Sequence, residues 1–267
     1  MPRMGHPPRA THRAVLTALA AWIVAAGATA PAGSVTGAAA DRLSHTFAVG
    51  KGRQWSVAGD VVSVRLVGDP GRTDVRIDIT RHAATAADLA RLPVIAREAA
   101  AGPEVILRQT GGGLDPGLRA EVTIAAPATG SRGVISVVEG GLEIRGYHGR
   151  LEAEVQRGAI TASDVSGTLR LTTAIGAVDV TWARLVPGGL LRLRTFNGDV
   201  RLGFAAAPRD ARVMALALNG TIASALPLTM KDGWGPRWGE ATIGTGADVV
   251  SIDVVTGAIR IESPGRQ

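Results

Sequence analysis

The chain of 267 residues contains no cysteine. This absence excludes disulfide scaffolds, thiolate metal sites, cysteine nucleophiles and lipid attachment at a cysteine, and with them several classes of secreted protein. Aromatic residues are also scarce, with five Trp, one Tyr and three Phe, too few to form a platform on which nucleic-acid bases could stack. Because 46% of the residues are hydrophobic, the fold must be stabilised by apolar burial and backbone pairing.

Lysine is rare as well, since only Lys51 and Lys231 accompany 27 arginines, and the formal net charge is +6. Beyond residue 40 there are 26 basic and 23 acidic residues, so the net charge there is 26 minus 23, or +3. The two signs are interspersed, as in "TDVRIDITRH", whereas nucleic-acid binding requires a basic surface on one side of the molecule. The composition implies no polyanion partner, and we predict no nucleic-acid binding.

The N-terminal segment, residues 1–40, has the layout of a secretory signal peptide. A positive stretch contains Arg3, Arg9 and Arg13, and the apolar run "AVLTALAAWIVAAGATA" covers residues 14–30. Three alanines precede Asp41, and we predict cleavage after Ala40. The alternative is an uncleaved anchor, because an apolar run of this length is at the lower limit for a membrane span; only this segment would then contact the membrane. In either case residues 41–267 lie outside the cytoplasm, in the periplasm, at the cell surface or secreted.

A nine-residue repeat is the most informative pattern in the chain. It is marked by Gly140, Gly149, Gly158, Gly167 and Gly176. In each unit the second and fourth residues after the glycine are apolar and the third is polar, as in "GLEIR" and "GAVDV". This alternation predicts a short, half-buried strand followed by a turn at the glycine. After an insertion of three residues around "RLVPGG", the spacing resumes at Gly189 and Gly198.

Strand and turn units at constant spacing, without intervening helices, predict an all-β protein. The predicted fold is a single-stranded β-solenoid (β-helix-like) over residues 131–263, in which each coil stacks on the one before it. Residues 41–130 are predicted to form an irregular β region that packs on the solenoid as a cap, with a short helical turn in "TAADLARL". Residues 264–267 are predicted to be a disordered tail. A β-sandwich of hairpins is the alternative, because Asn-Gly turns between alternating strands also indicate hairpins. The number of units in each coil stays open.

The repeat resembles the bacterial "putative adhesin" family, a β-strand-repeat domain of unknown function. The resemblance is carried by "VEGGLEIRGYHGRLEAEVQRGAITASDVSGTLRLTTAIGAVDVT", "LLRLRTFNGDVRLGF", "VMALALNGTIAS" and "IGTGADVVSIDVVTGAIRI". It extends over residues 47–262 and implies a β-solenoid outside the cytoplasm. The resemblance brings no catalytic residue with it.

Carboxylates in the repeat raise the alternative of an enzyme that cleaves polysaccharides. Glu143, Glu152 and Glu154 would be aligned by neighbouring coils with Arg145 or Arg170, and acid–base cleavage needs two such groups held close together. The simpler interpretation is that these residues form solvated pairs on the outer side of the strands.

Other chemistry finds little support in the sequence. Calcium-binding β-rolls need several glycines and an aspartate in every unit, which these units lack. His45, His82 and His148 are the histidines beyond residue 40, and they are too dispersed for a zinc site or a hydrolase triad. We predict no catalytic site, no metal site and no cofactor.

The segment "KDGWGPRWGE", residues 231–240, stands out in this aromatic-poor chain. It places Trp234 and Trp238 next to Lys231 and Arg237, and exposed tryptophans beside cations can stack on a sugar or anchor a protein. The alternative is that the rings cover the core. We predict a non-enzymatic, adhesin-like module that binds an envelope protein or glycan through these four residues. The alternatives are a carbohydrate-active enzyme and a membrane-anchored envelope sensor.

Overall fold

The computed structural model describes residues 38–50, 52–183, 188–231 and 235–264, all within one compact unit that covers residues 36–267. The described residues form eighteen strands and one 3-10 helix, Asp88–Arg91. The strands are β1 (Ala39–Ala48), β2 (Gln54–Asp69), β3 (Asp74–Ala83), β4 (Val94–Ala99), β5 (Gly102–Leu107), β6 (Arg119–Pro127), β7 (Arg132–Glu139), β8 (Leu142–Arg145), β9 (Arg150–Arg157), β10 (Ile160–Val165), β11 (Thr168–Ile175), β12 (Val178–Trp182), β13 (Leu190–Asn197), β14 (Val200–Phe204), β15 (Ala211–Ser224), β16 (Thr229–Lys231), β17 (Arg237–Ile243) and β18 (Asp248–Glu262). The all-β prediction is confirmed, and the predicted helical turn is the 3-10 helix. No helix within these ranges is long and apolar enough to cross a membrane.

The strands pair in two ladders. The first ladder runs in the spatial order β4-β5-β2-β7-β9-β11-β13-β18-β15-β17-β16. The second ladder runs in the order β1-β3-β6-β2-β8-β10-β12-β14-β18-β15. Strands β2, β15 and β18 are long enough to take part in both. Pairing is parallel through the middle of each ladder and antiparallel only near the ends.

The register shows how the nine-residue units are arranged. Leu151 is paired with Leu169, and Ile160 is paired with Val178, so strands that are neighbours in a ladder are two units apart in the chain. Successive units therefore alternate between the two ladders. At "RLVPGG" the step from Thr168 to its partner Leu190 is longer than two units by four residues. The insertion thus adds four residues to the step between neighbouring strands of the first ladder, and the predicted three is wrong.

The order of the last strands differs from a coil wound in chain order. Strand β18 lies between β13 and β15 in the first ladder and between β14 and β15 in the second. Its inward side chains Val250, Ile252 and Val254 are almost fully buried, as expected for a strand paired on both sides. The second half of β15 is more polar and mostly exposed, which suits the outer position that it takes.

The core lies between the two ladders and is filled by the apolar residues predicted from the alternation. Trp55, Tyr147 and Trp182 are the largest fully buried side chains. The hydroxyls of Thr173 and Thr195 are also buried, and each donates a 3.0 Å hydrogen bond to the carbonyl of a corner glycine one coil away. These bonds satisfy polar groups that would otherwise destabilise the core.

A column of glycines forms one corner between the ladders. A Cβ on Gly176 would lie 2.1 Å from the carbonyl oxygen of Gly158, and one on Gly198 would lie 1.9 Å from that of Gly176. Both residues have φ near +150°, a conformation that side chains disfavour. Gly149 and Gly167 stack at the opposite corner. The nine-residue glycine spacing therefore combines two columns, each with a period of two units.

The first strand carries the predicted processing point. Cleavage after Ala40 would fall within β1, one residue before the partly buried ion pair of Asp41 with Arg81. Arg81 also donates to the carbonyls of Leu89 and Leu92, so it joins β1 to the 3-10 helix. The apolar run of residues 14–30 and the tail from residue 265 lie outside the described residues.

Tyr147 gives the core a pH dependence. Its hydroxyl donates a 3.0 Å hydrogen bond to the carbonyl of Ser131, and burial raises the pKa of the phenol to about 12. The unfolded chain releases this proton near the ordinary pKa of about 10. We expect stability to be complete below pH 10 and to fall by roughly 2 to 3 kcal/mol between pH 10 and pH 12.

This titration can be observed directly because the chain has a single tyrosine. The tyrosinate absorbance of the folded protein should rise with a midpoint near 12, and urea titrations should show the loss of stability over the same range. The variant Tyr147→Phe should remove both signals. A midpoint near 10 in the folded protein would show that the phenol is not buried as described.

Candidate functional site

Large apolar side chains lie exposed on the outer face of the first ladder, in the part that the C-terminal strands β13, β18 and β15 form. Phe196 in β13 is 53% exposed and Leu218 in β15 is 44% exposed. Val255 in β18 lies between them. Its chain neighbours Val254 and Thr256 are register partners of the residues that flank Phe196 in β13 and of the residues that flank Leu218 in β15. These three residues therefore form a row across adjacent strands about 4.8 Å apart.

The row continues onto the next strand. Leu216 lies two residues before Leu218 on the same face of β15, and it is the register partner of the half-buried Trp238 in β17. We call Phe196, Val255, Leu218, Leu216 and Trp238 the apolar ridge. A contiguous apolar surface of this kind on a polar sheet is typical of a contact surface for a partner.

Both aromatic rings of the ridge lie next to a cation. The guanidinium of Arg194 lies 5.7 Å from the centroid of Phe196, and the ammonium of Lys231 lies 4.3 Å from the centroid of Trp238. Each contact is a cation–π interaction, which holds the cation at the edge of the apolar surface. The ridge thus has an apolar centre and a charged rim, in which Arg194 and Lys231 lie near Asp253 and Glu240.

Two of the four predicted contact residues come together in the structure. Lys231 and Trp238 line a groove of about 450 Å³ with Glu240 and Thr242. Arg237 is exposed at the start of β17. Trp234 lies outside the described residues. The position of Lys231 on the indole follows from the antiparallel pairing of β16 with β17, in which these two residues are register partners.

Phe196 and Leu218 were not predicted as contact residues, although the sequence contains a signal for them. The outward position two residues before the corner glycine holds Phe196 before "NG", Leu218 before "NG" and Val255 before "TG". In earlier units the same position holds Gln156 or Ala174. Alignment of every second unit, which is the register of the ladder, would have shown that three apolar residues follow one another there.

The carboxylates considered for polysaccharide cleavage are not brought together. Glu143 lies in β8 of the second ladder, where it forms an ion pair with Arg65 at 2.9 Å. Glu152 and Glu154 lie in β9 of the first ladder. The outer faces of the two ladders lie on opposite sides of the core, so Glu143 does not join Glu152 and Glu154 in one acid–base site. The predicted alignment of Glu152 with Arg170 is present, because these two residues are register partners.

A histidine and a serine do meet at a corner of the coil. His148 Nδ1 lies 2.9 Å from Ser166 Oγ, but Ser166 is only 1% exposed, so its hydroxyl is not presented to a substrate. The pair connects two neighbouring turns. Over the ranges that the structure describes, no three His, Asp or Glu residues are grouped so that they could hold a metal ion.

Solved structures of bacterial proteins described as adhesins are among those that this chain resembles. One is a "putative cell adhesion protein" from Clostridium sporogenes, with 12% identity, a TM-score of 0.44, and coverage of 84% of this chain and 100% of that chain. Another is a "putative adhesin" from Bacteroides fragilis, with 12% identity, a TM-score of 0.45, and coverage of 83% and 97%. A "putative lipid binding protein" from Parabacteroides distasonis has 8% identity, a TM-score of 0.30, and coverage of 84% and 95%. No family model and no curated protein matches the sequence.

Proposed function

We propose that this protein is a non-enzymatic, adhesin-like interaction module of the cell envelope. In this proposal it is a β-solenoid with two strands in each coil, located outside the cytoplasm, and it binds a partner protein through the apolar ridge. The observation that carries the proposal is the row Phe196–Val255–Leu218 on three adjacent strands. The class of function agrees with the adhesins described above, but the proposal does not rest on them.

The ridge has the composition of a protein contact surface. Aromatic and aliphatic side chains are placed at its centre, and Arg194 and Lys231 are placed at its rim. Protein interfaces share this arrangement, in which a few large central residues supply most of the affinity. The acidic residues at the rim, Asp253 and Glu240, are already paired with Arg192 and Arg212. Arg194 and Lys231 therefore favour a partner that carries acidic residues around an apolar patch, because complementary charge speeds association.

A double variant tests the ridge. Replacing Phe196 and Leu218 by serine removes two central apolar side chains at exposed positions, so the fold should be retained. We expect affinity for the envelope partner to fall about 30-fold or more, since a central contact contributes roughly 2 kcal/mol. The partner is first captured from envelope extract and identified, and its binding to each variant is then measured with both proteins purified.

The matched control is Ile95→Ser. Ile95 is 47% exposed and lies on β4, at the other end of the first ladder. This variant should bind the partner as well as the unaltered protein does. Equal binding by the Phe196→Ser, Leu218→Ser variant would show that the ridge is not the contact surface. If Ile95→Ser bound the partner as weakly as the Phe196→Ser, Leu218→Ser variant, the loss of affinity would not be specific to the ridge.

A further inference from the structure

A second surface on the first ladder brings together arginines that are well separated in the chain. Arg132 in β7 is the register partner of Arg150 in β9, and Arg170 follows in β11. Together with Glu152, Thr168 and Leu190 they line a recess of about 320 Å³ in the middle of the ladder. All three arginines are exposed.

These arginines differ from most others on the same face. Arg97 is paired with Glu104 at 2.7 Å, Arg192 with Asp253 at 3.4 Å, and Arg212 with Glu240 at 2.6 Å. Within the described ranges, no carboxylate forms an ion pair with the guanidinium groups of Arg132, Arg150 or Arg170. Their hydrogen-bond donors therefore remain available to a ligand.

Without a bound ligand, the position of Arg132 opposite Arg150 destabilises the folded sheet. Like charges directly opposite each other on neighbouring strands destabilise a sheet. The same row holds Gln54 and Thr168 on the flanking strands, so uncharged residues fit this register without difficulty. An anion bound between the two guanidinium groups would remove the repulsion and satisfy both donors.

We propose that this recess, the arginine recess, binds carboxylate groups of an acidic polysaccharide. Guanidinium groups bind carboxylates through paired hydrogen bonds. Glu152 and Thr168 supply oxygen atoms that accept hydrogen bonds from sugar hydroxyls. A nucleic acid fits less well, because none of the described residues that line the recess is aromatic and could stack on a base. Arg132 and Arg150 lie opposite each other on adjacent strands about 4.8 Å apart. Arg170 lies one strand further on, opposite Glu152 and two residues beyond the row of Arg150, so the three guanidinium groups form a diagonal cluster that spans three strands.

This inference rests on the proposed role outside the cytoplasm, but it concerns a site separate from the apolar ridge. The composition gave no indication of it, since basic and acidic residues are interspersed along the chain. The two-unit register places Arg132 beside Arg150, whereas Glu139 and Glu143 lie between these two arginines in the chain.

The test measures binding of polygalacturonate to the purified full chain by calorimetry. The double variant Arg150→Gln, Arg170→Gln should bind at least about tenfold more weakly. The matched control Arg97→Gln, Arg212→Gln removes the same charge from two arginines that already have carboxylate partners, and it should change the affinity less than about twofold. The ridge variant Phe196→Ser, Leu218→Ser should bind polygalacturonate unchanged, so that failure of one site is distinguished from failure of the other.

Further probes distinguish the source of the anion. Neutral dextran, inorganic phosphate, vesicles of anionic lipid and duplex DNA should each bind much more weakly than polygalacturonate. Binding of DNA or anionic vesicles as strongly as polygalacturonate would overturn the proposal, because general charge attraction would then suffice. It would equally be overturned by an absence of polygalacturonate binding, or by equal loss in the two arginine double variants.

Discussion

Replacing Gly176 with alanine is expected to lower the free energy of unfolding by about 3 kcal/mol or more. The new Cβ would lie 2.1 Å from the carbonyl oxygen of Gly158, a separation at which backbone atoms must move. The φ of Gly176 is +151°, which adds strain for any residue with a side chain. Because the glycines of this corner stack on one another, the displacement would be transmitted to the next glycine of the column, Gly198.

Urea titration followed by circular dichroism measures this loss. The control is Gly113→Ala. Nothing lies within 4 Å of the added Cβ, and the φ of Gly113 lies outside the range that side chains disfavour. That variant should be as stable as the unaltered protein or slightly more stable, since alanine restricts the unfolded chain. Equal stability of Gly176→Ala and the unaltered protein would contradict the stacked corner.

The second large effect is expected for Trp182→Ala. Trp182 is 1% exposed and lies in the second ladder between its register partners Val165 and Phe204. Removal of an indole from a closely packed core costs about 3 to 5 kcal/mol, because apolar burial is lost and a cavity remains. Trp182→Phe keeps most of the buried apolar area and should cost much less.

The same denaturation measurement separates these variants. Trp238→Ala is the matched surface control, because Trp238 is only half-buried on the outer face, and its loss should change stability by less than about 1 kcal/mol. The expected order of stability is therefore Trp238→Ala, Trp182→Phe and then Trp182→Ala. If Trp182→Ala were as stable as Trp238→Ala, Trp182 could not belong to the core.

Much of the fold can be predicted from local pattern. The alternation in "GLEIR" and "GAVDV" fixes which side chains face inward, and Leu142, Ile144, Val178 and Val180 are all buried. The glycine spacing predicts the corners. It does not reveal that every second unit becomes a neighbour in the ladder, because the nine-residue spacing is equally compatible with two or three units in each coil.

The position of β18 could not be predicted from local pattern. Its pairing with β13 joins residues that are distant in the chain, such as Leu190 and Val249. Such a contact depends on which of two long strands, β15 or β18, buries more apolar surface when it is paired on both sides. Both segments have the same pattern of strand, glycine and strand, so that pattern does not distinguish them.

In the candidate surfaces, too, contacts between residues close in the chain were predictable and contacts between distant strands were not. Trp238 and Lys231 are close in sequence, and their proximity was predictable. Phe196 and Leu218 belong to one surface only because β18 lies between their strands and places Val255 between them. Arg132 and Arg150 meet only because neighbouring strands of the ladder are two units apart in the chain. Both proposed binding surfaces therefore depend on the register of the first ladder.

Cross-linking of introduced cysteines tests that register most directly, and the chain has no native cysteine to interfere. Glu154 and Thr172 are register partners on the outer face of the first ladder, two units apart in the chain. Cysteines on adjacent strands have Cα atoms about 4.8 Å apart, within the range that a disulfide can bridge. The control pair is Glu154→Cys with Ser163→Cys, one unit apart, since Ser163 lies in β10 of the second ladder.

Oxidation of the folded protein, followed by mass spectrometry of its peptides, gives the result. We expect the Glu154→Cys, Thr172→Cys variant to form an intramolecular disulfide and the Glu154→Cys, Ser163→Cys variant to keep two free thiols. The reverse outcome, with a disulfide only between positions 154 and 163, would indicate hairpin pairing of successive units and would contradict the two-ladder fold together with both proposed binding surfaces.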